Sequence, residues 1–198
     1  MIHITGKIPR QVAIAVSGGI DSMGALDFLR RAHDVVVLHY NHVTPYAPKA
    51  EVLVRDYCEK HDLALIVGEC EEEMPAGVSK EAWWRDQRYK FFTEATDLPI
   101  ITAHHLDDQV ENYLFTALNG KPFLIPHKRD QFIRPFITTE KTDFTLWCVR
   151  KGVPTIDDPS NEDTKYRRNY IRHTLMPHVL NINPGIKNVI RKKVLDSL

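Results

Sequence analysis

Three short stretches of this chain hold residue types that could do chemistry. The first is Ser17-Gly18-Gly19-Ile20-Asp21-Ser22. Two adjacent glycines let a backbone turn sharply and come close to a ligand, and a helix starting near Ile20 would aim its unpaired N–H groups and positive dipole end into the same space. Such a turn suits phosphate. Ser17 and Ser22 could add hydroxyl donors, and Asp21 makes sense beside an anion if a divalent cation lies between them. The same residues would also serve as ordinary helix caps. The second stretch is Ala103 to Asn112, where Asp108 and Glu111 stand i and i+3, and Asp107 and Glu111 i and i+4. Carboxylates on neighbouring helical turns could hold a metal or a cationic amine, while His104 or His105 could handle a proton or a phosphate. The helix dipole alone would also favour these acids in a first turn. In the third, Tyr166 to Arg172, the guanidiniums of Arg168 and Arg172 share one helical face suited to phosphates, and Tyr166 and Tyr170 could stack on bases. Alternatively the tyrosines are core and the arginines pair with Asp157 or Asp158.

The hydrophobic pattern predicts the elements that position these stretches. Strands are expected at Gln11 to Val16, Asp34 to Tyr40, Leu63 to Val67 and Leu98 to Thr102. Helices are expected at Ile20 to Ala32, Lys49 to His61, Lys80 to Ala95 and His105 to Leu118. In the second helix Val52, Leu53, Tyr57 and Cys58 form a stripe; in the third, Ala82, Trp83, Phe91 and Phe92 can pack while Arg85 and Arg88 face outward. A later helix, about Thr139 to Lys151, is opened by Thr138 or Thr139, has Leu146, Trp147 and Val149 as its apolar side, and is stopped by Gly152 and Pro154. Alternating strands and helices imply βαβ units and a parallel sheet. Ligands of such sheets bind beyond the carboxyl ends of the strands, where the first two stretches fall.

At 198 residues the chain has room for one full core and a small appendage. No run approaches the roughly 18 apolar residues that span a bilayer, and Met1 to Arg10 lacks a long apolar region, so neither membrane insertion nor secretion is indicated. Three cysteines, Cys58, Cys70 and Cys148, without a C-x-x-C pair, argue against a disulfide framework or a zinc site and fit a reducing cytoplasm. The 26 basic and 26 acidic residues cancel overall, but not locally. Glu69 to Glu73 holds four carboxylates and reads as a solvated loop. Lys165 to Lys193 carries eight Lys or Arg and no acid, which points to a polyanionic partner.

Taken together, these segments carry a resemblance. Ser17 to Ser22 after the first strand resembles the pyrophosphate-binding loop of the PP-loop, N-type ATP pyrophosphatases. More narrowly, the chain resembles the tRNA(Ile)-lysidine synthase family. Glu81 to Tyr89 is similar to its E-x-x-x-R-x-x-R-Y helix, His104 to Glu111 to its H-x-L-D-D-Q-x-E segment, and Ile133-Arg134-Pro135-Phe136 to its I-R-P-L. Asp158 to Arg172 is similar to its D-x-S-N-x-D-x-x-x-x-R-N-x-I-R signature. The resemblance implies an α/β fold, a parallel five-stranded sheet with helices on both faces, followed by a small helical C-terminal extension. It divides the chain into a PP-loop domain, 1–135, and a helical extension, 136–198, that completes the catalytic domain and contacts tRNA.

The same resemblance implies a two-step reaction: ATP adenylates the wobble cytidine of an isoleucine tRNA, and lysine then displaces AMP to give lysidine. By family analogy Ser17, Gly18, Gly19, Ser22 and His39 would bind ATP, and Asp21 would act through Mg2+. Asp108 and Glu111 would hold lysine or assist its deprotonation, and Arg85 and His104 would sit by the nucleotide or the adenylate. Arg168, Asn169 and Arg172 would grip the tRNA near its anticodon. The chain departs from the family at Asn112, where Thr is usual, in the short loop Asn119-Gly120-Lys121-Pro122, and in ending soon after the catalytic region. So short a chain could read the anticodon loop alone, form a homodimer or act on a different RNA. Two alternatives stay open: another PP-loop enzyme such as a tRNA thiolase, or a nucleotide- or RNA-binding protein without catalysis.

Overall fold

The computed structural model describes residues 1–70 and 74–198, and the side chains of all of these except residues 80, 81, 160 and 161. Of the acidic stretch Glu69 to Glu73, residues 71–73 thus lie outside the described residues. Six strands and their helices follow in chain order: β1 (Gln11–Ala15), α1 (Ile20–Leu29), β2 (Asp34–Asn41), α2 (Ala47–Lys60), β3 (Ala64–Glu69), α3 (Lys80–Ala95) and β4 (Ile100–Ile101). Then come α4 (Leu106–Leu118), β5 (Lys128–Arg129), β6 (Phe132–Ile133), α5 (Lys141–Lys151), α6 (Arg167–Tyr170), α7 (Met176–Ile182) and α8 (Ile186–Asp196). A π-helical turn at Ile171–Leu175 joins α6 to α7.

The strands lie in the order β3-β2-β1-β4-β6-β5. Five are parallel, as expected, and two-residue β5 adds an antiparallel edge to β6. Alternate side chains of the central strands feed two cores. Val12, Ile14, Val16, Val35 and Val37 pack with α1, α2 and α5, whereas Ala13, Leu38 and Tyr40 pack with Phe92 of α3. Helices therefore cover both faces. A third core joins Leu106 and Val110 of α4 to Ile190 and Val194 of α8.

The strand order explains where a ligand can enter. From β1 the chain moves outward to β2 and β3, then returns to place β4 on the other side of β1. The loops leaving β1 and β4 diverge at this reversal and open a crevice at the carboxyl edge. Ser17 to Ser22 follows β1 and His104 to Asp108 follows β4.

Several local expectations change. In α2 Val54 is fully buried and Val52 is 57% exposed, so the buried stripe is Val54, Tyr57 and Cys58. On α3 Ala82 is exposed, and Arg88 is half-buried rather than outward. In α5 Leu146 and Val149 face out; Phe144, Trp147 and Cys148 pack inward against α1. This helix begins at Lys141, not Thr139, because Thr138 and Thr139 are tied to the N-terminal strap through Thr5 and His3. It ends as expected, with Gly152 at φ +62° in the left-handed conformation that releases a helix.

Candidate active site

Gly18, at φ +88°, makes the turn after β1, a conformation an L side chain resists. The Ser22 hydroxyl donates to Gly19 O (3.0 Å) and accepts from Ser17 N (3.1 Å), and the Ser17 hydroxyl lies 3.2 Å from it. From the far side Ile156 N donates to Gly18 O at 3.0 Å, so the segment after α5 also braces the turn. The serines thereby shape the loop, and the first-turn amides of α1 point into the crevice.

Asp21, in that first turn, meets His105 across the crevice: Asp21 Oδ2 is 3.5 Å from His105 Nε2 and 4.0 Å from Lys141 Nζ. His105 is buried and caps α4 reciprocally, accepting from Asp108 N (3.3 Å) at Nδ1 while Asp108 Oδ2 accepts from His105 N (3.0 Å). Burial opposes charge on this ring, but Asp108, Asp21 and Asp107 outweigh it and push its pKa up to about 9. In the neutral form the Nε2–H tautomer satisfies both contacts, donating to Asp21 and accepting from Asp108 N–H. A second proton exchanges the cap at Nδ1 for the carboxylates of Asp107 and Asp108, 3.7 and 3.6 Å away.

The adjacent carboxylates have different tasks. Asp107 accepts from Lys141 N (2.8 Å), capping α5 from a distance, and pairs with Lys187 of α8 at 2.6 Å. Asp108 faces the crevice; burial would raise its pKa, but His105, His104, the His105 N–H and Arg172 hold it below the usual carboxylate range. Glu111 behaves oppositely. Burial lifts its pKa although Arg172 opposes the shift, donating from Nε to Oε1 (2.7 Å) and from Nη2 to Oε2 (2.8 Å). Arg172 also stands 3.7 Å from Asp108 Oδ1.

Arg172 therefore does not form an outward pair with Arg168: its guanidinium is turned onto the acids, while Arg168 is exposed. Asn169 donates from Nδ2 to Asp163 O at 3.0 Å, holding the loop before α6. Nor is the basic stretch from Lys165 to Lys193 wholly free for a polyanion, since Arg172, Lys187 and Arg191 pair with Glu111, Asp107 and Glu140.

Among the described residues five buried side-chain atoms lack a hydrogen-bond partner: Asp21 Oδ1, His39 Nε2, His42 Nδ1, Arg88 Nε and Arg134 Nε. Unsatisfied buried polar atoms are rare, so their grouping is informative. Asp21 follows β1, His39 and His42 lie at the end of β2, and Arg134 follows β6. Arg88 reaches them from α3, close enough to help lower the pKa values of both His42 and His104. His39 Nδ1 donates to Val16 O (2.8 Å), which leaves Nε2 an acceptor with no donor. His104, pushed down to about 4 by burial and by Arg134 and Arg88, is neutral and bonded to Thr102 Oγ1 at 2.8 Å. Arg85 is exposed on α3, stacked toward Tyr89. A crevice with anion-seeking N–H groups, an unpartnered carboxylate oxygen and an imidazole acceptor matches a nucleotide.

No group of three or more His, Cys, Asp or Glu gathers as a metal site among the described residues. One carboxylate oxygen, Asp21 Oδ1, still fits magnesium, which is commonly held by one or two carboxylates and substrate phosphates. His105, named in the sequence beside His104, is the histidine that meets Asp21. Arg88, Arg134 and Lys141 are the site residues to which the sequence reading gave no role: Arg88 and Arg134 lie inside family-like motifs, whereas Lys141 had no local signal.

Compared with protein families, residues 3–179 match the PP-loop domain. The chain belongs to the PP-loop domain family. Its relatives include the tRNA(Ile)-lysidine synthase of Francisella philomiragia, 31% identical over 96% of this chain and 51% of that protein. That of Lactiplantibacillus plantarum is 33% identical over 90% and 44%, and that of Staphylococcus aureus 31% over 85% and 44%. The chain thus spans about half the length of the curated relatives it matches. A solved NH3-dependent NAD synthetase from Campylobacter jejuni shares the PP-loop chain's fold, with a TM-score of 0.53 and 14% identity over 96% of this chain and 86% of its own. No helix among the described residues is long and apolar enough to cross a membrane.

Proposed function

We propose that this PP-loop protein carries out the tRNA(Ile)-lysidine synthase reaction in the cytoplasm. The C2 oxygen of a wobble cytidine attacks the α-phosphorus of ATP and pyrophosphate leaves; the lysine ε-amine then attacks C2, loses a proton, and AMP departs with the oxygen. The observation that carries this reading is that Asp21 of the Gly-rich turn and the Asp108–Glu111 pair face one crevice, linked through His105 at 3.5 and 3.6 Å. Relatives named for this reaction, aligned with 85% or more of the chain, add support.

Residues 1–135 would hold the nucleotide and residues 136–198 would complete the site. Amides of Gly18, Gly19 and the first turn of α1 would receive phosphate oxygens, with Ser17 and Ser22 fixing the turn, and His39 Nε2 would accept from the nucleoside. Asp21 would hold magnesium, which when bound neutralises charge on the pyrophosphate leaving group. Only a neutral amine is nucleophilic, and lysine at its usual pKa of about 10.4 is almost wholly protonated near neutral pH. Asp108, held ionised, suits the task of binding the ammonium. Glu111, with its raised pKa, is the better proton acceptor. Arg85 and neutral His104 would lie along the nucleotide or adenylate, while Arg168 and Asn169 approach the RNA with Arg172.

Two of the three thiols are unsuited to thiolation. Cys58 and Cys148 are buried, and burial pushes both up to about 11, far from the thiolate that sulfur transfer needs. The test is to incubate the protein with ATP, magnesium, isoleucine tRNA and labelled lysine, then digest the RNA and seek lysidine by mass spectrometry. Absence of lysine transfer to every isoleucine tRNA tried would refute the assignment.

A further inference from the structure

Along α4, Asp108, Glu111, Phe115 and Leu118 fall at i, i+3, i+7 and i+10, one stripe that leaves the acidic pair and runs toward the helix C-terminus. At 1.5 Å per residue Phe115 lies about 6 Å, and Leu118 about 10 Å, beyond Glu111. Where this stripe meets α6 the surface sinks into two adjoining hollows of about 450 and 500 Å³ that share Phe115, Lys165 and Arg167. The first has an apolar floor of Phe115, Leu118 and Ile171 with Tyr170 as a wall; the second continues past Tyr166 and Arg168.

Large apolar and aromatic side chains are unusually open here: Leu118 is 72%, Tyr170 53% and Tyr166 43% exposed. Among the described residues no carboxylate lines either hollow. Lys165 and Arg167 have no ion-pair partner among the described residues, in contrast to Arg172, Lys187 and Arg191 of the same basic stretch. The groove is also tied to the acidic pair, because Ile171 lines it and the next residue, Arg172, clasps Glu111.

We infer that this groove binds the unstacked nucleotides of single-stranded RNA that adjoin the base being modified, an inference that rests on the tRNA reading above. Aromatic faces accept bases of any sequence and cations follow the phosphates. A solely apolar peptide would leave the cations unused, and a solely acidic one the stacking surface.

The test uses fluorescein-labelled seven-nucleotide oligo(U) and oligo(A) RNA and fluorescence anisotropy across a range of salt. Tyr170→Ala should weaken binding roughly tenfold with little change in salt slope, and Tyr170→Trp should restore it. Arg167→Gln should reduce the salt slope by about one. Thermal melts and calorimetric ATP titrations of each variant report fold and nucleotide site separately. If both Tyr170→Ala and Leu118→Ser bind RNA within about twofold of the parent, the inference is overturned. It is equally overturned if Leu118→Ser changes only self-association in sedimentation. Lysidine formed with an unaltered KM for tRNA in Tyr170→Ala would sink the groove and leave the activity standing. Tyrosine-dependent RNA binding without lysine transfer would do the reverse.

Discussion

Replacing Arg172 by Gln tests whether the bidentate clasp on Glu111 exists in solution. The carboxylate is 7% exposed and receives two charge-assisted bonds at 2.7 and 2.8 Å, while the Arg172 side chain is 30% exposed. Stripping the partner from a fully buried charge costs about 3–5 kcal/mol. Water reaches this guanidinium, so we expect about 2–3 kcal/mol at pH 7.5, measured by urea unfolding, and a fall in Tm of roughly 5–10 °C for a chain of this size. The pH dependence has a definite sign. Burial already raises the Glu111 pKa, and Arg172 is the main opposing influence. Without Arg172 the folded-state pKa rises further, so the folded variant takes up a proton at higher pH than the unfolded chain. Its penalty should therefore shrink as pH falls from 7.5 toward 5.5. A penalty below about 0.5 kcal/mol, or one that stays constant over this range, would refute the clasp as a solution feature.

Acid should act differently through Asp27, whose pKa is lowered to about 2 because bonds from Tyr57, Arg31, Trp147 and Arg30 outweigh the effect of burial. Its contribution, about 2 kcal/mol, is present above about pH 4 and is lost as pH falls through 2; Asp27→Asn should remove that part of the acid limb in unfolding titrations. Gly18→Ala places a Cβ 3.1 Å from Ile156 Cγ2 at φ +88°. It should cost about 1–2 kcal/mol by chemical denaturation and weaken ATP binding in calorimetry. Asp21→Ala should abolish adenylation, whereas Glu111→Ala should impair lysine use more than ATP use; equal losses in single-turnover assays of the two steps would reject that division of roles.

The sheet could be read from sequence because strands buried on both faces leave near-continuous apolar runs, as in Val12 to Val16 and Val35 to Leu38. The Ser17 to Ser22 turn and the acidic start of α4 were readable for another reason: each is a contiguous segment whose parts lie together. Two-residue strands such as β5 and β6 carry no period to detect. The buried face of α5 was ambiguous, since Leu146 and Val149 make an i, i+3 pair that competes with Phe144, Trp147 and Cys148. Packing on α1 decides between them. Least readable were the charge partners. Arg172 and Glu111 are 61 residues apart, so a segment rich in cations looked free although part of its charge is already neutralised by acids on α4 and before α5.

Those distant pairs determine how the two parts of the chain depend on each other. Leu106 and Val110 of α4 bury themselves against Ile190 and Val194 of α8, and Asp107 fastens α4 both to the first amide of α5 and to Lys187. On the same helix, Asp108 and Glu111 face the crevice and are reached by Arg172. Successive residues of α4 thus alternate between anchoring the helical segment and presenting carboxylates. Displacement of the α6 turn by an RNA phosphate drawing on Arg172 would act on Glu111 directly, while Asp107 keeps α5 and Lys141 in place beside Asp21. A lysine ammonium would then replace Arg172 at Glu111 once RNA has drawn that guanidinium away, whereas the Ser17 to Ser22 turn, braced by Ile156 and its own serines, stays as built.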